Sequence, residues 1–240
     1  MEKISSYCTR LWLALLLASV ISLAAPTEAQ SNSDLERTLG EMDKASSSFR
    51  TTEAEFVWQQ YTSLVKETDT QKGKIYFRRS GDEIQTAVDL TEPYPKYVLL
   101  TGGKLQFFEP QVDRVTVYDL SKNHGEFETF LVLGFGGGGH SMAKSFDVKY
   151  ADTEKLNGIE TSKLDLVPKS AKIRNTFEHI LLWIDPARGV SVQQQLFQPG
   201  GDYRLVLYSN IQINPKIADS VFKLKTDAKT SIQTVSSSHE

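Results

Sequence analysis

The chain has 240 residues, 40% of them hydrophobic and 24% charged, with a net charge of −3 and a single cysteine. That is enough apolar material for a domain that buries its own core. The absence of a basic block excludes nucleic acid and strongly anionic membrane surfaces as partners, and one cysteine excludes a disulfide framework.

Residues 1–29 read as an export signal. Lys3 and Arg10 supply a positive start, Leu11 to Ala25 is dominated by apolar side chains, and Thr27-Glu28-Ala29 offers small residues at −3 and −1. The apolar stretch is shorter than the ~20 residues a membrane span needs. Cleavage is expected before Gln30, which leaves residues 30–225 as one domain and 226–240 as a flexible tail. Cys8 lies upstream of the apolar run, so it is not placed as an acylation site.

Behind the signal, Ser33-Asp34-Leu35-Glu36 has the form of a capping box. Leu35, Leu39, Met42 and Phe49 then recur at helical spacing, predicting an amphipathic helix over 34–48. Strands follow at 54–63, 73–80, 83–90, 96–101, 104–109 and 112–119, cut by Gly81-Asp82, Pro93-Tyr94-Pro95, Gly102-Gly103 and Glu109-Pro110. Glu126 to Leu133 suits a short second helix over 125–133, with Phe127, Phe130 and Leu131 on one side. The glycines Gly136 to Gly139 follow it, and together they suggest a movable cover. Further strands are expected at 145–154, 158–167, 177–185, 189–198 and 203–211, and Asp219-Ser220-Val221-Phe222 reads as a turn that docks an apolar pair. The fold class is therefore mainly β: an open, curved antiparallel half-barrel of about eleven strands with a helical lid over its concave apolar face.

No motif specifies an enzyme. Gly134 to Gly139 satisfies G-x-G-x-x-G in letters, but a helix precedes it and a strand follows, the reverse of a dinucleotide site. His124, His140, His179 and His239 are scattered without metal-ligand spacing, and no G-x-S-x-G elbow exists. No metal, cofactor or catalytic residue is assigned. Trp58, Tyr61 and Tyr76 read as packing residues.

Arg79 is different. Side chains alternate along a strand, so Arg79 shares a face with Ile75 and Phe77, and across Gly81-Asp82 with Ile84, Thr86 and Val88; Arg78 takes the opposite face. An arginine closing an apolar row needs acceptors. Either a neighbouring carboxylate, Asp82 or Glu83, or the free carbonyls of a helix end can supply them.

The order Arg78-Arg79, Pro95, Gly102-Gly103-Lys104-Leu105, Phe107-Phe108 and Pro110 resembles the LolA family of periplasmic lipoprotein carriers, with a looser likeness from about Ser33 to Lys225. One departure stands at Ser80, where the family usually has proline. The resemblance implies a periplasmic, monomeric, non-enzymatic carrier that takes lipoproteins by their acyl chains. It would receive them from an inner-membrane lipoprotein-releasing transporter and give them to an outer-membrane acceptor. It implies Arg79 as the latch of the lid, over a cavity whose lining would include Leu35, Leu39, Met42, Ile75, Phe77, Ile84, Val88, Phe127, Phe130 and Leu131. An envelope sensor of lipid or lipoprotein, or a free-lipid carrier, would use the same scaffold.

Overall fold

The short β-branched and aromatic runs assemble into one twelve-stranded sheet. In this computed structural model, residues 28–81, 83–120 and 133–235 are described. The helix α1 (Glu28–Ser48) leads into β1 (Thr51–Thr62), β2 (Glu67–Ser80), β3 (Glu83–Glu92), β4 (Lys96–Thr101), β5 (Lys104–Glu109) and β6 (Arg114–Asp119). A short helix α2 (Gly139–Ser145) precedes β7 (Phe146–Leu156) and β8 (Ile159–Pro168). One turn of helix, α3 (Ala171–Arg174), then leads to β9 (His179–Asp185), β10 (Val190–Phe197), β11 (Tyr203–Ile213) and β12 (Ser231–Val235).

The strand order is β12-β6-β5-β4-β3-β2-β1-β11-β10-β9-β8-β7. β12 and β7 are free edges, so the sheet is curved but open and does not close into a barrel. Register shifts at Glu53/Glu55, Lys72/Gly73, Tyr150/Asp152 and Ser191/Gln193 bend it. At Gly73 a side chain would meet the Asp89 carbonyl at 2.2 Å, so glycine permits β3 to approach there.

α1 lies over the concave face of the β7–β10 half. Leu39 and Met42 pack there with Leu133, Met142, Phe146, Leu164, Leu166, Ile180, Leu182 and Ile184. The convex face of β2–β4 is covered instead by the C-terminal segment. Ala87, Leu99 and Phe222 are buried together, with Tyr76, Ile217, Val221 and Leu224 around them.

Three expectations are corrected. Ser33 caps nothing: α1 begins at Glu28 and runs through it. Glu28, Ala29 and Gln30 are strong helix formers that carry the helix upstream past the capping signal, and Gln30 Nε2 donates to Asp34 Oδ2 at 3.2 Å. β2 starts six residues earlier than its apolar pattern, because Glu67 to Lys72 pair with β1 although their side chains are polar. The flexible tail contains β12, which pairs parallel with β6 from Ser231 opposite Arg114 to Val235 opposite Tyr118. Main-chain pairing and the Thr230 hydroxyl, 2.8 Å from Asp113 Oδ1, hold this mostly exposed strand, which carries little apolar signal. The pairing also makes the sheet mixed rather than wholly antiparallel.

Candidate functional site

The strand registers place a row of side chains on the concave face. Thr52 lies opposite Phe77 and Ala54 opposite Ile75; across β3, Ile75 faces Val88, Phe77 faces Thr86 and Arg79 faces Ile84. Phe77 and Ile84 are buried with Phe49, Phe135 and Val190, and Ile75 packs beside them. Leu35 packs against the other cluster, that of Leu39 and Met42, and Val88 remains partly open. Phe127, Phe130 and Leu131 lie outside the described residues.

The two neighbouring arginines divide between the two faces. Arg78 points to the convex side, where Nε and Nη2 donate to Gln85 Oε1 at 3.0 and 2.8 Å and Nη1 pairs with Asp219 at 2.5 Å. Its guanidinium lies 4.0 Å from the centre of the Phe222 ring, so it fastens the C-terminal segment. Arg79 points to the concave side. Its Nη2 donates to the Gly136 carbonyl at 3.1 Å, its guanidinium sits 5.5 Å from the Phe49 ring centre, and its Nε is buried without a partner.

The segment that Arg79 grips, residues 133–138, is fixed largely through its carbonyls. Gln194 Nε2 donates to the Leu133 carbonyl at 2.5 Å, and the Ser191 amide to that of Gly134 at 2.9 Å. Ser46 Oγ of α1 shares the Gly136 carbonyl with Arg79, at 2.7 Å. Between these bonds Phe135 is fully buried, stacked on Phe77 at 5.2 Å and edge-on to Tyr208 at 4.7 Å. Burial pushes the pKa of the Tyr208 hydroxyl up, and that hydroxyl donates to Gln194 Oε1 at 3.4 Å.

The glycines around Phe135 have a packing role that their letters did not disclose. Gly136 has φ near +77°, and a Cβ there would sit 2.6 Å from the Phe49 ring. A Cβ at Gly139 would sit 2.5 Å from the Leu39 carbonyl of α1. The glycine run therefore lets the cover approach the helix and the sheet closely.

His140 opens α2 and ties it to α1. Its amide donates to Asp43 Oδ1 at 3.2 Å, Nδ1 is in contact with Asp43 Oδ2, and Nε2 lies 3.2 Å from Glu36 Oε2. The Asp43 hydrogen bond, then that to Glu36, hold its pKa above the ordinary 6.5. Sequence spacing did not show this pair of carboxylates, because the helix that carries them lies about 100 residues upstream. A cleft of about 190 Å³ lies beside the cover, lined by Met42, Leu133, Gly134, Gly137 and Met142 among others. Among the described residues, no group of three or more His, Cys, Asp or Glu is placed to hold a metal.

Residues 47–225 match the family described as outer membrane lipoprotein carrier protein LolA. The chain belongs to this family. An outer-membrane lipoprotein carrier protein from Methylococcus capsulatus is 25% identical over 172 residues, covering 71% of this chain and 76% of that one. The crystal structure of MucB superposes with a TM-score of 0.53 at 12% identity, over 84% of this chain and 66% of MucB. An uncharacterized conserved protein from Thermus thermophilus gives 0.51 at 10% identity, over 87% and 100%. At such identities the solved structures speak for the fold alone.

Proposed function

We propose that this protein is an exported periplasmic carrier that shields lipoprotein acyl chains between the inner and outer membranes, with Arg79 as the latch of its unloaded form. The observation that carries this reading is the Arg79 Nη2–Gly136 carbonyl bond, made at the end of an apolar concave row. Shielding is physically required, because each CH₂ kept from water is worth about 0.8 kcal/mol. The cleft beside the cover, about 190 Å³, is below the roughly 300–1,000 Å³ of ordinary ligand sites, so loading requires the cover to move. A backbone carbonyl is a suitable latch partner, since it carries no full charge to be stranded when the bond breaks.

Lid closure and cargo then compete for the same concave face, which keeps net affinity low enough for release. In this reading Leu39, Met42, Phe77 and Ile84, packed into the core when empty, become lining when the cover lifts. An inner-membrane releasing transporter would load the carrier and an outer-membrane acceptor would unload it.

Native mass spectrometry of protein recovered gently from its own periplasm tests the reading. Bound mass resolving to acylated lipoprotein is expected. Bound free lipid, with no uptake of added lipoprotein, would move the function to lipid carriage or sensing.

A further inference from the structure

A second arginine on the concave face has no such partner among the described residues. Arg204 of β11 lies opposite Gln60 of β1 and Leu196 of β10. Along β1 this is nine residues from Thr51, which pairs with Arg78. At ~3.3 Å per residue, Arg204 stands about 30 Å from the Arg79 end of the face.

The other described arginines each donate to a carboxylate, an amide oxygen or a carbonyl, as Arg37, Arg50, Arg79, Arg114, Arg174 and Arg188 illustrate. Arg204 donates to none among the described residues. Its guanidinium is flanked by the rings of Trp58 at 5.8 Å and Phe177 at 5.6 Å, and its Nε is buried without a partner. The Trp58 indole Nε1 is buried without a partner as well. Burial alone lowers the Arg204 pKa, with no opposing carboxylate, yet guanidinium stays charged in proteins.

This corner thus offers two kinds of donor, both unable to accept, within a wall of Trp58, Phe177, Leu196 and Val206. Arg204 is half-buried with no carboxylate beside it among the described residues, which favours an anionic partner, and a guanidinium fork matches phosphate oxygens in pairs. A peptide would bring donors of its own, for which the neutral amide of Gln60 is the acceptor opposite Arg204; a phosphodiester with apolar tails brings only acceptors and hydrocarbon. We infer that Arg204, with Trp58 Nε1, binds the phosphate of an acidic phospholipid whose chains lie along the concave face. The inference rests on the carrier reading for the apolar groove and adds a headgroup site to it.

The test titrates the mature protein with dihexanoylphosphatidylglycerol, with dihexanoylglycerol and with inorganic phosphate. Calorimetry gives the affinities. The phosphatidylglycerol is expected to bind about 10-fold or more tightly than dihexanoylglycerol, and inorganic phosphate far more weakly than either. Arg204→Gln should bring the two lipids within about 2-fold, while Arg78→Gln, on the convex strap, keeps the preference. Trp58→Phe, which removes only the indole donor, should reduce the preference by about 3-fold and covers the case in which Arg204→Gln fails to fold. Equal binding of both lipids to wild type, survival of the preference in Arg204→Gln, or phosphate binding as tightly as the lipid would each overturn the headgroup site. Uptake of dihexanoylglycerol without preference would leave the groove standing, whereas uptake of neither lipid would count against the carrier reading itself.

Discussion

The convex strap and the concave cover are fastened to the same strand by adjacent arginines, and the fastenings differ in kind. On the convex side Arg78 meets a carboxylate, Asp219, while its guanidinium covers the buried Phe222. On the concave side Arg79 meets a backbone carbonyl of a glycine-rich segment, shared with Ser46. The strap is held by a charge pair over a small apolar cluster. The cover is held by neutral acceptors around one aromatic plug. The difference teaches that one residue type can fasten two coverings by unlike partners, a carboxylate for the strap and a shared main-chain carbonyl for the cover.

The sharpest way to break this comparison is to remove the plug. Phe135→Ala should cost about 3–5 kcal/mol, the range for deleting a buried aromatic side chain, as read by urea unfolding. A loss below about 1 kcal/mol would mean that the cover is already loose in the empty protein. Gly136→Ala adds a methyl group at a positive φ and against the Phe49 ring, and should cost about 1–3 kcal/mol. Hydrogen exchange should show that loss in residues 133–145 and at the Ser191 amide, which bonds the Gly134 carbonyl, and not in β8 or β9.

The His140 clasp gives a pH dependence. Its raised pKa means that the clasp contributes fully below the unfolded value near 6.5 and is lost as pH rises through the folded value. Asp43 and Glu36 are the carboxylates facing it, and Lys144 lies one turn along its own helix. Amides of α2 should therefore exchange faster at pH 8.5 than at pH 6 after correction for intrinsic rates, and His140→Gln should remove the difference. The smallest effect is expected at the strap. Asp219 is 83% exposed, so Arg78→Gln should lower stability by about 1 kcal/mol or less and leave lipoprotein transfer unchanged.

Much of this was legible in the sequence where turn chemistry is explicit. β4 and β5 run over the expected 96–101 and 104–109, because Gly102-Gly103 and Glu109-Pro110 punctuate them. Strand alternation likewise separates the faces of Arg78 and Arg79. Pairing held mainly by the main chain was invisible: Glu67 to Lys72 of β2 are all polar, and in β12 Ile232 and Val235 make no period-2 apolar pattern. The site was only half legible. For Arg79 the sequence offers Asp82, Glu83 or helix-end carbonyls as acceptors, and the acceptor in the described residues is the Gly136 carbonyl in a glycine-rich turn. Phe135 and Gln194 carried no pattern, since one lies among glycines and the other in a run of three glutamines. Their roles arise only when β2, β10 and the cover meet.

The most direct test of the latch compares wild type with Arg79→Leu in a two-step assay. The steps are uptake of an acylated lipoprotein from inner-membrane vesicles and its transfer to outer-membrane vesicles. If the Arg79–Gly136 bond holds the unloaded form closed, the variant takes up cargo at least as well as wild type and transfers it at least about 10-fold more slowly, a shift of about 1.4 kcal/mol in the competition between cover and cargo. Transfer at the wild-type rate by a folded Arg79→Leu protein would contradict the account.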